Sequence, residues 1–199
     1  MKKIILMVAV AMMTAMNVNA QNEDLHHELS LSYGLGSIAQ LGDGIGEGLG
    51  LAFTDTEYDD GSIVGPITLE YFYHFNNPRL ALGASFTYSK WDSKILVRDT
   101  ESQVGERNRN FFSVLPSFKS YWINKNSFGL YSKVAAGVGF LKCTDKDFRN
   151  NNVEKDDNGC YFMFQLSFIG AEFGGKVRGF AELGVGDQGF AQAGVRYKF

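Results

Sequence analysis

Leu29-Ser30-Leu31-Ser32-Tyr33-Gly34-Leu35-Gly36 alternates a large apolar residue with a small or polar one at every step. A two-residue period belongs to a β-strand, whose successive side chains point to opposite faces, and not to a helix with its 3.6-residue repeat. Leu29, Leu31, Tyr33 and Leu35 therefore share one face, and Ser30, Ser32, Gly34 and Gly36 share the other.

The same pattern recurs downstream. A second strand over about 62–75 sets Ile67, Leu69, Tyr71, Tyr73 and Phe75 against Thr68, Glu70 and His74, and turns at Asn76-Asn77-Pro78-Arg79. The third sets Leu80, Leu82, Ala84, Phe86 and Tyr88 against Gly83, Ser85, Thr87 and Ser89. A fourth, about 109–122, sets Phe112, Val114 and Phe118 against Ser113, Ser117 and Lys119, with a turn at Asn124-Lys125-Asn126. The fifth starts at Phe128 and opposes Leu130, Val134, Ala136, Val138 and Phe140 to Tyr131, Lys133, Gly137 and Gly139. The sixth, about 161–173, opposes Phe162, Phe164, Leu166 and Phe168 to Gln165 and Ser167 and closes at Gly174-Gly175. A seventh over about 179–186 turns at Asp187-Gln188-Gly189 into the last, which ends at Phe199. Polar segments over 38–61, 92–108 and between Cys143 and Cys160 read as long loops. Eight strands with short turns at one end and three long loops at the other predict an antiparallel up-and-down barrel with both termini at the short-turn end. The short Asp187-Gln188-Gly189 connection breaks that alternation.

The first twenty residues pair Lys2 and Lys3 with an apolar run from Ile4 to Met16 and small residues at Val18 and Ala20. That is the form of a secretory signal peptide cleaved between Ala20 and Gln21, leaving residues 21–199 as one domain. The apolar run is too short for a transmembrane helix, and nothing later approaches its length, so any membrane embedding must be by a closed barrel. Glycine (23) and phenylalanine (17) are abundant and proline (3) is scarce, as suits strands. Net charge is −3, and falls to −5 once Lys2 and Lys3 leave with the leader, which argues against nucleic acid as a partner.

Lipid is the solvent that the apolar faces suit. Tyr71, Tyr73, Phe75, Tyr88, Trp91, Trp122, Phe128 and Tyr197 stand toward strand ends as interfacial girdles. The opposite faces carry Glu70, Lys119, Lys133, Glu182 and Arg196, predicted to form a paired charge network inside the lumen, because charges on a lipid face are costly. Pro66 and Pro116 conflict with an uninterrupted ladder, and a bulge or local break is expected at Pro116. Export to an oxidising compartment suggests a disulfide between Cys143 and Cys160 at the base of a polar loop; no histidine or third cysteine lies near for a metal site.

The carboxyl terminus reads Gln192-Ala193-Gly194-Val195-Arg196-Tyr197-Lys198-Phe199. Gln192, Gly194, Tyr197 and Phe199 resemble the β-signal by which the barrel assembly machinery recognises its clients. With the leader and strand count, the mature chain resembles the outer-membrane β-barrel domain family, the small OmpA-like and OmpW-like barrels, of Bacteroides type. The resemblance implies an integral outer-membrane location with periplasmic termini, contact with outer-membrane lipid and lipopolysaccharide, a monomeric state and no cofactor.

Three function classes follow. The first is a structural or surface-interaction barrel with a largely plugged lumen and long displayed loops. The second, allowed by the OmpW-like resemblance, is a narrow channel for small solutes, with Gly83, Gly137, Gly139, Gly184 and Gly194 leaving space inside; Phe72, Tyr131 and Phe180 would fill it. The third is an enzyme acting on lipid, which needs a nucleophile beside a general base. His26, His27 and His74 all fall at the short-turn end, so no catalytic triad is expected at the loops. Asp55, Asp59 and Asp60 lack the spacing of a calcium loop and read as solvated, so no metal is expected.

Overall fold

A computed structural model describes residues 25–38, 56–77, 79–97, 103–147 and 153–199. Of strand residues 56–63, 93–97, 103–107, 145–147 and 153–157 it describes the backbone. The expected leader 1–20, its expected cleavage point at Ala20 and Gln21, and the acidic stretch with Asp43, Glu47 and Asp55 expected as a loop lie outside the described residues.

Eight antiparallel strands close into a barrel in sequence order: β1 (His27–Leu35), β2 (Thr56–His74), β3 (Leu80–Val97), β4 (Gln103–Asn124), β5 (Phe128–Asp147), β6 (Val153–Gly174), β7 (Val177–Gly186) and β8 (Ala191–Lys198). Each strand pairs with its neighbours in sequence, and β8 returns to β1 through Glu28↔Lys198 to Leu35↔Ala191, so no strand is left as an outer edge of the sheet. The short turns around 76–79, 125–127 and 175–176 share one end with the termini, where His27 N–H donates to the Phe199 carbonyl (2.9 Å) and Phe199 N–H to the His27 carbonyl (2.8 Å).

The alternation decides which way each residue faces, and it is inverted relative to a water-soluble protein. Among the described residues thirty large apolar side chains are exposed, from Leu29, Leu31, Tyr33 and Leu35 on β1 to Tyr197 on β8, whereas only nine apolar residues are buried. Twenty-five polar or charged residues are buried instead. No helix among the described residues is long and apolar enough to cross a membrane.

Three expectations need correction. β2 to β6 run well past the apolar belt, so 56–61, 92–97, 103–108, 143–147 and 153–160 are strand. Their sequence hid this, being polar without alternation in most of these segments and a continuous apolar run at Ile95-Leu96-Val97, because alternation is imposed only where one face alone is apolar. Trp91 is not a girdle residue: it shares the inward parity of Ser85, Thr87 and Ser89 and is 6% exposed, while Trp122 faces out at 58%. Cys143 and Cys160 form no disulfide. Cys143 pairs with Asp157 and Cys160 with Phe140, which puts the cysteines an odd number of ladder steps apart and their side chains on opposite faces of the sheet, where no S–S bond can span. Beside some inward glycines the space is taken by rings: the Phe111 ring lies over Gly139, the Tyr131 ring over Gly170 and Phe72 against Gly83.

Pro66 and Pro116 both sit in strands. The β2–β3 register shifts between Val64 and Ile67, around Pro66. At Pro116 there is a break but no bulge: pairing with β5 lapses between Val114↔Val138 and Ser117↔Ala135 while the register is kept. A bulge does occur in β6, where Phe168 is the extra residue between Ser167↔Gly184 and Ile169↔Leu183. It shifts the inward positions from the odd residues Gln165 and Ser167 to the even residues Gly170 and Glu172.

Candidate functional site

The barrel's interior is the chemically distinctive part of the molecule, and parity builds it. Alternate residues of every strand converge on one axis, and the strands deliver carboxylates and cations to it at matching heights.

In the middle of the lumen, Lys133 of β5 stretches its ammonium between Glu70 of β2 (2.7 Å) and Glu182 of β7 (2.7 Å) and donates to the Gln188 side-chain oxygen (2.8 Å). Glu70 also accepts from Ser85 (3.0 Å) and Ser30 (3.2 Å), and Glu182 from the Tyr131 hydroxyl (2.7 Å) and Ser167 (2.7 Å). Nearer the termini, Glu28 of β1 accepts from Lys119 of β4, from the His74 Nε2 (2.9 Å) and from the Tyr121 hydroxyl (3.2 Å). Glu172 of β6 gathers Arg178, Arg196 and Lys198, the last at 2.6 Å. Arg196 links the two tiers: its guanidinium pairs with Glu172, stands 3.1 Å from Glu28 and 3.7 Å from Glu182, and lies over the Phe180 ring at 4.1 Å.

Lys133 to Glu70, Lys119 to Glu28 and Tyr121 to Glu28 each join strands three apart around the barrel, so the contacts cross the lumen rather than follow its wall. Glu28, Glu70, Lys119, Lys133 and Arg196 are fully buried. Isolated, each charge would cost several kcal/mol in such a place. Here each carboxylate meets a cation and at least one further hydrogen-bond donor.

Toward the loop end the Asp187-Gln188-Gly189 turn folds inward over this layer. Gln188 N–H donates to the Gln165 side-chain oxygen (2.9 Å), Gln165 Nε2 to the Gly189 carbonyl (3.2 Å), and Ser113 to the Asp187 carboxylate. Burial pushes the Asp187 carboxyl above its ordinary range, against the hydrogen bonds from Ser113 and Thr87. Gly34 makes room for the turn, since a Cβ there would fall on the Gln188 carbonyl oxygen.

At the opposite end the lumen opens into a vestibule of about 500 Å³ between the short turns, lined in part by His26, His74, Lys125, Arg178 and Lys198. Its floor is the Glu28–Glu172 tier.

No protein-family model matches the chain. No curated protein matches it in sequence. In structure it is similar to Ail. That solved structure is of the attachment invasion locus protein of Yersinia pestis in complex with the heparin analogue sucrose octasulfate, with 15% sequence identity, 88% of this chain and 100% of that chain covered, and a TM-score of 0.48.

All five charges singled out from the sequence, Glu70, Lys119, Lys133, Glu182 and Arg196, come together. Glu28, Glu172, Arg178, Lys198 and Tyr121 were missed as members of this cluster. Glu28 and Arg178 stand one residue outside the strands as read from the sequence, and extending the alternation by one step would have found them. Glu172 carried no such signal, because the Phe168 bulge reverses the parity ahead of it. On β8, Gln192 and Arg196 face in, while Tyr197 and Phe199 face out; Gly194 lies where a Cβ would meet the Leu31 carbonyl. The histidines are engaged at the terminal end: His26 Nδ1 with the His74 carbonyl (3.0 Å), and His27 Nδ1 with the Tyr71 hydroxyl (2.7 Å). Among the described residues no group of side chains could hold a metal ion.

Proposed function

We propose that this protein is an integral outer-membrane β-barrel whose lumen is closed by its own ion pairs and whose role is exercised by surface contacts at its loop end. Lipid is the medium that satisfies an exterior of exposed leucine, phenylalanine and tyrosine, and closure of the ladder leaves no strand edge facing it. His27, Tyr73, Tyr197 and Phe199 cluster at the terminal end, His27 edge-on to Tyr73 and stacked on Phe199, as suits one membrane–water interface. In this reading residues 1–20 are the leader, the termini are periplasmic, Gln192, Gly194, Tyr197 and Phe199 serve recognition by the assembly machinery, and the inserted barrel is a monomer in contact with lipid and lipopolysaccharide.

The observation that carries the closed lumen is Lys133, held at 2.7 Å from carboxylates on two other walls and 0% exposed. A solute would have to break that pairing to pass. The competing reading, a narrow channel for small solutes, draws on the vestibule, which ends at the Glu172–Lys198 pair. We assign no catalytic role, because the histidines stand at the terminal end, far from the loops.

Planar-bilayer recording of the refolded mature chain tests this, with insertion verified by faster gel migration unboiled than boiled. The expected result is silence. Steady unitary conductance from inserted protein would overturn the closed-lumen reading in favour of the channel.

A further inference from the structure

The terminal-end vestibule has a cationic lining among the described residues, and its chemistry is independent of whether the barrel conducts. Among the described residues its lining contains the cations Lys125, Arg178 and Lys198 and no carboxylate. The polar remainder is His26, His74 and the side chains of asparagines on two turns, Asn76 and the pair flanking Lys125. Lys125 is exposed, and its ammonium pairs with no carboxylate among the described residues.

Arg178 and Lys198 are paired with Glu172 behind them, but the tier as a whole keeps an excess of positive charge. In the tier that floors the vestibule, Glu28 and Glu172 face Lys119, Arg178, Arg196 and Lys198, two acids against four bases. In the tier beyond it the balance reverses, with Glu70 and Glu182 around Lys133. Interior charge is thus segregated along the barrel axis, positive toward the termini, and the low-dielectric wall focuses that field into the vestibule.

The cations have distinct parts to play. Arg178 is spent: its Nε donates to the Gly175 carbonyl (3.0 Å), Nη1 to Glu172 and Nη2 to the Asn126 carbonyl (2.8 Å), so it is a fixed source of charge that also positions the 125–126 turn. Lys198 is buried, donates to Glu172 (2.6 Å) and the Tyr121 hydroxyl (3.3 Å) and stands 3.8 Å from Glu28, so what it offers a ligand is its charge at the vestibule floor. Lys125 has its whole ammonium to offer.

We infer that the vestibule binds a small polyanion, a phosphate- or carboxylate-bearing solute, through Lys125, Lys198 and the turn asparagines. A lipid headgroup is the wrong occupant, because the lining comes from inward positions and from the turns across the mouth, not from the lipid face. A cavity of about 500 Å³ accepts more than a single phosphate, so the fitting class carries two or three charges at separated positions.

Isothermal titration of inorganic pyrophosphate, and separately of citrate, into the refolded chain in a maltoside detergent tests this, with spermidine as the cationic control. One saturable site for at least one of the anions and none for spermidine is expected. Lys125→Gln, on an exposed turn, should weaken binding about tenfold, the loss of one charge-assisted hydrogen bond. Lys90→Gln, beside Asp92 toward the loop end, should leave it unchanged. No saturable anion binding, equal binding of spermidine, or equal weakening by both variants would overturn the assignment; the gel shift verifies that each variant is folded. Conductance plays no part in this readout, so failure here leaves the closed-lumen reading standing, and the reverse.

Discussion

Replacing Lys133 by methionine removes one positive charge from between two buried carboxylates and changes little else, since the two side chains are similar in length and volume. At 2.7 Å and an effective dielectric of about 20, each ion pair is worth about 6 kcal/mol of Coulomb attraction, most of which offsets the desolvation of the ions. What the substitution exposes is the uncompensated remainder. Glu70 keeps Ser30 and Ser85, and Glu182 keeps Tyr131, Ser167 and Gln192, but neither keeps a cation within 3 Å. Loss of one partner from a buried pair costs roughly 3–5 kcal/mol, a shift of two to four orders of magnitude in the unfolding equilibrium. Urea unfolding of the barrel from thin-bilayer vesicles, followed by tryptophan fluorescence, measures it. Adding Glu70→Gln and Glu182→Gln to Lys133→Met should recover most of the loss, because neutral amides need no counter-charge. A loss below about 1 kcal/mol for the single variant, or no recovery in the triple, would refute the view that these pairs are buried and mutually dependent.

Two further outcomes follow from particular positions. Gly34→Ala should destabilise the barrel by about 1–3 kcal/mol, since the new methyl lands on the Gln188 carbonyl of the inward turn, whereas Gly179→Ala, with nothing within 4 Å of its Cβ, should stay within about 0.5 kcal/mol of the parent; equal effects in the same urea assay would contradict the packed turn. Bromine-labelled lipid chains should quench Trp122, which faces out, and spare Trp91, which faces in, so Trp91→Phe keeps the quenching and Trp122→Phe loses it; the opposite result would reverse the parity of β3 and β4.

The eight strands were legible wherever one face is apolar and the other is not. Leu29 to Leu35 shows the alternation without a fault, and β1 pairs with β2 and β8 in the register that alternation requires. Where it fails, the reason is local. Thr56 to Asp60 carry polar residues on both sides and read as loop, yet their backbone pairs with Ser93 to Val97; hydrogen bonding there takes no help from side-chain patterning. The interior charges were legible as a set because a buried Glu70 or Lys133 on an otherwise apolar strand demands a partner. Which partner was not, since Lys133 and its acids are 63 and 49 residues apart and meet only across the closed lumen.

Alternation and composition by themselves determined an all-β chain with an apolar face and a charged one, because solvent acts on each residue separately and leaves its record in the order of residues. Tertiary structure decided what depends on distance between strands. The Phe168 bulge turned Glu172 inward, an odd register separation kept Cys143 and Cys160 apart, the short turn at Gln188 folded into the mouth, and two tiers of opposite excess charge came to lie along one axis. Those outcomes follow from closing a sheet on itself, which fixes the height and facing of every residue against partners that its own stretch of sequence does not contain.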